Sequence, residues 1–207
     1  MLFKPEYDEN GKKILCEMNG INSEMLMDIY VKKMKKGEVL EICEDKNECA
    51  ILLLSGDVTF KVEDEINERC KRKNPFEKKP YAIHFCKQVK ASVTANEDSE
   101  VLVQMTDNEK TWKSEFYNPN NCLYQEFGKG QWNGTGHRIV STMFDLDNAP
   151  AGEHCRLLCK GNFRFLFCKV CCPQSLHRIP PDGRIDNNKV QAAGDDEADS
   201  LTNVPVG

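Results

Sequence analysis

The sequence predicts an all-β fold, an antiparallel sandwich or jelly-roll barrel, and three observations predict it. From about Ile14 to Met105, short apolar runs alternate with turn residues and show little helical period. Within that span "CAILLLSGDVTFKVED" joins a continuous apolar run to an alternating one through a Gly-Asp turn signal. The runs are many, short and closely spaced, which fits antiparallel pairing and, among small barrels, the jelly roll.

In chain order, "LMDIYVKKM" places Leu26, Tyr30 and Val31 among polar residues and reads as a strand stopped at Gly37. Ala50 to Leu54 reads as a strand covered on both faces. A turn at Ser55, Gly56 and Asp57 follows, then a strand in which Val58, Phe60 and Val62 face the core. Glu63 to Lys79 is expected to be a charged loop. "YAIHF", "QVKASVTA" and "EVLVQM" give three further strands, the last two joined by the turn-forming "NEDS". Thr111 to Gly136, with Pro119 and several glycines, is expected to cross the surface as a long connection. "RIVSTMFDLDNAP" then supplies one strand-like run ending at Pro150. The organisation expected is a β domain over residues 1–110 and a connection with a first strand toward a second half over 111–150. Residues 151–207 follow as a Cys-rich and then disordered tail.

A chain of 207 residues can bury enough apolar surface to fold without covalent staples. The start, "MLFKPEYDENGKK", does not read as a signal peptide, and no run approaches the roughly 18 apolar residues of a membrane span. The expected location is the cytoplasm, where the eleven cysteines stay reduced. A net charge of -5 argues against a nucleic-acid partner. The basic stretch "ERCKRKNPFEKK" has acidic neighbours and reads as a solvated face. Asn133, Gly134 and Thr135 read as a turn rather than a glycosylation site.

Four stretches, in order, carry a resemblance: "ECAILLLSGDVTF", "NPFEKKPYAIHF", "ANEDSEVLVQM" and "GTGHRIV". Together they resemble the N-terminal half of the 5-deoxyglucuronate isomerases of inositol catabolism, a two-cupin family, over roughly Leu2 to Pro150. The resemblance implies a cupin-like barrel, a sugar-acid substrate and an aldose to ketose isomerisation giving 5-dehydro-2-deoxygluconate. It also implies a divalent metal that polarises the carbonyl while a base moves the proton. The related uronate ketol-isomerase of pectin degradation is the runner-up. In the family the ligands lie in the second half, in a stretch carrying two histidines one residue apart. This chain has four histidines, His84, His137, His154 and His177, and no two are so spaced. No family ligand carries over, so no metal is expected in this chain and the chain is expected to be an incomplete member.

The remaining candidates are local. His84 and Cys86 in "AIHFC" would share one face of a strand, as a pair of ligands or as core residues. Arg138, beside His137 at the end of the Gly-rich loop, could clamp a substrate carboxylate or anchor the connection through backbone carbonyls. Five cysteines lie between Cys155 and Cys172. Cys168 and Cys171 form a C-x-x-C that Cys155, Cys159, His154 or His177 could complete as a zinc site. Against zinc, "KGNFRFLF" reads as a strand. The favoured reading of this composition break is that Ala151 onward is not the native continuation, as a shifted frame or altered splice would give. Self-association through apolar surface is a further expectation. The alternatives to an isomerase are a non-catalytic sugar-acid binding domain and a zinc-binding module.

Overall fold

A computed structural model of the chain describes residues 4–76, 79–131, 136–144, 157 and 166–170, the last five for their backbone only. All of them lie within one compact unit, Met1–Cys171. Their regular structure is β apart from a 3-10 turn at Ser23–Met25, a 3-10 position at Gln131 and a helical position at Leu157. No helix among them is long and apolar enough to cross a membrane.

The strands are β1 (Lys12–Cys16), β2 (Asp28–Met34), β3 (Val39–Ile42), β4 (Asn47–Val62), β5 (Ile66–Arg72) and β6 (Ala82–Phe85). They continue as β7 (Ala91–Ala95), β8 (Ser99–Asp107), β9 (Glu115–Tyr117), β10 (Leu123–Phe127), β11 (Arg138–Thr142) and β12 (Leu166–Val170). One layer runs β1-β2-β8-β4-β6-β9 and the other is built of β3, β7, β4 and β5, with every pairing antiparallel. β10, β11 and β12 form a separate small sheet.

The turn expected at Ser55 to Asp57, which would fold two strands back on each other as a hairpin, is corrected by the structure. β4 runs unbroken for 16 residues and changes layer, pairing with β6 and β8 as far as Ser55, across a bulge at Leu54, and with β5 and β7 from Gly56 onward. Gly56 turns this corner at φ +109°, with Ser99 so close that an added Cβ would lie 2.6 Å from the Ser99 Cα. The expected burial on both faces holds for Ala50 to Leu53 but not for Leu54, which is half-buried, while beyond the bulge Thr59 and Lys61 are the more exposed positions.

The charged loop is corrected as well: Ile66 to Arg72 is strand β5, held along the second half of β4. Ile66, Cys70 and Arg72 are buried and the intervening residues exposed. Arg72 is tolerated inside because it donates to the Leu53 carbonyl at 2.7 Å and the Pro75 carbonyl at 3.2 Å. The expected bare connection from Thr111 to Gly136 contains the short strands β9 and β10.

Among the described residues three apolar clusters form, the smallest of Cys16, Met27 and Ile29, and the two larger follow from the alternation of side chains along the strands. Between the layers, Cys49, Ile51, Leu53, Val101 and Val103 of one meet Val58, Phe60, Val62, Val93 and Ala95 of the other. Apolar side chains thus fill the barrel. On the outer face of the first layer, Ala50, Leu52, Ala82 and Tyr117 are covered by Met143, Phe144 and Leu157.

Candidate functional site

Three polar assemblies stand out, beginning with the corner of β4. Asp57 keeps a nearly buried carboxylate that receives Arg69 Nε at 2.9 Å and Nη2 at 3.0 Å, plus Asn96 Nδ2 at 2.9 Å. Arg69 chiefly, then Asn96, holds this carboxyl below its ordinary range against the opposing effect of burial. The Asn96 amide also donates to the Asp57 carbonyl at 2.8 Å, and the Asp57 amide to Ser99 Oγ at 3.1 Å. Here "SGDVT" and "ANEDSEV" lock onto each other. The Asp57 carboxylate is thereby committed within the assembly.

The second assembly lies on the outer face of the first layer. Cross-strand register places Gln104, Ala50, His84 and Glu115 in one row and Thr106 beside Glu48 in the next. Glu48, fully buried, accepts from Asn108 Nδ2 at 2.6 Å and from the Leu157 amide. His84 lies parallel to the Phe144 ring at 4.6 Å between centroids, with Trp112 at 5.4 Å. Burial pushes its imidazole down to about 3, so it is neutral at neutral pH. Cys86 falls just beyond β6, and its thiol donates to the Trp112 carbonyl at 3.5 Å. His84 and Cys86 are therefore core residues, as the second of their two sequence readings has it.

The third is a cleft of about 700 Å³ between the N-terminal segment and one end of β2 and β8, lined in part by Tyr7, Lys32, Lys35, Glu38, Ser55 and Glu100. Lys32 Nζ bonds the Asn10 carbonyl at 2.5 Å and Glu38 at 2.6 Å, and this contact holds the Glu38 carboxyl low. The Tyr7 hydroxyl donates to Glu100, with the Lys13 and Lys33 ammonium groups 4.4 and 4.0 Å from its ring centre. Burial first, and then Glu100, pushes that phenol well up. Lys35 meets Asp98 at 2.9 Å with both side chains largely exposed, a pair that water weakens and a ligand can displace. The cleft presents ammonium donors beside carboxylate and hydroxyl acceptors, a set suited to a hydroxylated anion. Sequence reading missed it because it unites residues 7–11, 32–38 and 98–100; the run "KKMKK" was its one local signal.

The remaining sequence candidates are not brought together. Arg138 opens β11 with an exposed side chain opposite Phe127, while His137 Nε2 lies 3.5 Å from Glu126. Cys168 is a backbone position on β12 opposite Val140; of "KGNFRFLF", read as strand-like, only Leu166 and Phe167 are described, both on β12, and residues 160–165 lie outside the described residues. Cys155, Cys159, Cys171, His154 and His177 lie outside the described residues. Among the described residues no three His, Cys, Asp or Glu side chains gather as metal ligands. With its ring against Phe144 and Trp112, His84 is not part of such a set, so these residues do not fit the divalent metal that the resemblance implies.

A family model, the KduI/IolB family, matches residues 1–161. The chain belongs to this family. The match runs past Pro150, and within it Leu157 packs in the outer core, with its amide on Glu48. No curated protein matches the chain. Among solved structures it is similar to an IolB-like protein from Salmonella typhimurium LT2, with 22% identity and a TM-score of 0.54, over 59% of this chain and 46% of that one. It thus spans less than half the length of that relative, and the likeness extends to the fold. KdgF from Halomonas sp. follows with 14% identity and a TM-score of 0.38, over 52% of this chain and 90% of that one. An RmlC-like cupin protein from Desulfovibrio desulfuricans has 17% identity and a TM-score of 0.37, over 51% and 92%. The fold is all-β and cupin-like.

Proposed function

We propose that this chain is the framework half of a sugar-acid isomerase, one that converts 5-deoxyglucuronate to its ketose in inositol catabolism, and that the metal-dependent step belongs to a second half. Family membership over residues 1–161 carries this reading. Two features of the described half support its framework role: a barrel packed with apolar side chains, and polar assemblies already committed to holding strands together. The outer sheet face, with Phe144 and Leu157 seated on it, is where this half holds the segment leading onward. The test is to incubate the purified chain with 5-deoxyglucuronate and divalent metals and follow the products by proton NMR. A framework half forms no ketose; metal-dependent ketose formation would overturn the reading.

A second reading, sugar-acid binding without turnover, is favoured by the cleft beside Lys32 and Lys35. Calorimetry with 5-deoxyglucuronate and with the uronate of pectin breakdown separates the two substrates. Heat that vanishes in Lys35→Ala supports the cleft, whereas no heat with either sugar acid counts against it.

A further inference from the structure

We propose that strand β10 is a docking edge for a second copy of this chain, paired antiparallel about a two-fold axis through Gln125. β10 pairs with β11 on one side, and among the described residues no strand occupies its other edge. All five of its residues are exposed, with Leu123, Tyr124 and Phe127 at 43%, 45% and 41%. Of the features that usually guard an open edge, "LYQEF" has a short length and one charge, Glu126, but no Lys, Pro or bulge.

The choice of a second copy follows from the order of the five residues. An antiparallel pair centred on Gln125 sets Leu123 opposite Phe127 of the other copy, apolar against apolar, at both ends of the ladder. Tyr124 falls opposite Glu126 of the other copy, on one face of the sheet. Lys79 Nζ lies 5.3 Å from the centre of the Tyr124 ring, where its hydrogen bond is to the Pro119 carbonyl at 3.1 Å. The pairing therefore brings the Lys79 ammonium toward the Glu126 carboxylate of the second copy, twice by symmetry, as a further cation beside Lys129 and His137, each 3.5 Å from that carboxylate within its own copy. Such an isologous contact matches apolar residues with apolar and opposite charges with each other. A five-residue ladder is at the small end of specific interfaces, so the dimer is weak and concentration-dependent.

Sedimentation velocity of the full chain over a concentration series tests this, with circular dichroism confirming that each variant keeps its β signal. The wild type is expected to shift toward a dimer as concentration rises. Leu123→Lys with Phe127→Lys is expected to remain monomeric, and Lys79→Glu or Glu126→Lys alone to weaken the dimer at least tenfold. The double variant Lys79→Glu with Glu126→Lys restores the opposite-charge pair across the axis and is expected to recover most of that loss. A wild type that stays monomeric at every concentration overturns the proposal, including the case where another segment of the same chain protects β10 amides from exchange. So does a dimer indifferent to the Leu123 and Phe127 changes, or a double variant as weak as the two single ones.

Discussion

Replacing Gly56 by alanine probes the corner on which both layers depend. At φ +109° a residue with a Cβ is strained by about 1–3 kcal/mol. The new methyl would also overlap Ser99, whose Oγ and Cα both lie within reach and whose backbone belongs to the central strand β8. Overpacking of this kind costs about 1–3 kcal/mol, giving about 2–6 kcal/mol in all. That is a large share of the roughly 5–15 kcal/mol by which a typical domain is stable. With a urea m-value of about 2 kcal/mol/M, the midpoint is expected to fall by about 1–3 M, read by tryptophan fluorescence at unchanged m. Adding Ser99→Gly should recover only part of the loss, since the Ser99 Cα and the torsion both remain. A Gly56→Ala midpoint within about 0.3 M of wild type, or complete recovery in the double variant, would refute the corner argument.

Two further outcomes are expected. His84 has a folded pKa of about 3, below its ordinary value of 6.5, so its contribution is fully present above pH 6.5 and is lost as pH falls toward 3. Between pH 7.5 and 5 the wild type should lose about 2 kcal/mol more stability than His84→Phe, and parallel urea midpoints across that window would contradict this. Glu48→Gln places an amide where two donors converge and should cost about 1–3 kcal/mol, with faster hydrogen exchange at the Leu157 amide. Unchanged exchange there would show that Glu48 does not hold this segment.

The fold class and the strands at Asp28, Ala82, Ala91, Ser99 and Arg138 were legible because their apolar residues alternate or run together. β5 was hidden because two of its three inward residues are Cys70 and Arg72, and the residues between them are polar and exposed. Gly56 and Asp57 carry the same local signal in a bend as in a hairpin. What separates the two is distant in sequence: Ser99 against the glycine, and Arg69 and Asn96 on the carboxylate. β9 and β10 are short and lie on either side of an Asn- and Pro-containing turn. For the site, local spacing suggested His84 with Cys86, yet the strand ends between them and aromatic rings take the imidazole. The cleft escaped notice because its lining converges from three distant segments.

The most direct measurement is the proton NMR time course of 5-deoxyglucuronate with the purified full chain and, in turn, manganese, zinc, iron(II) and cobalt. The expected result is no ketose above the rate with metal alone. Sustained ketose formation, abolished by a chelator and absent without protein, would contradict the assignment of this chain as the framework half.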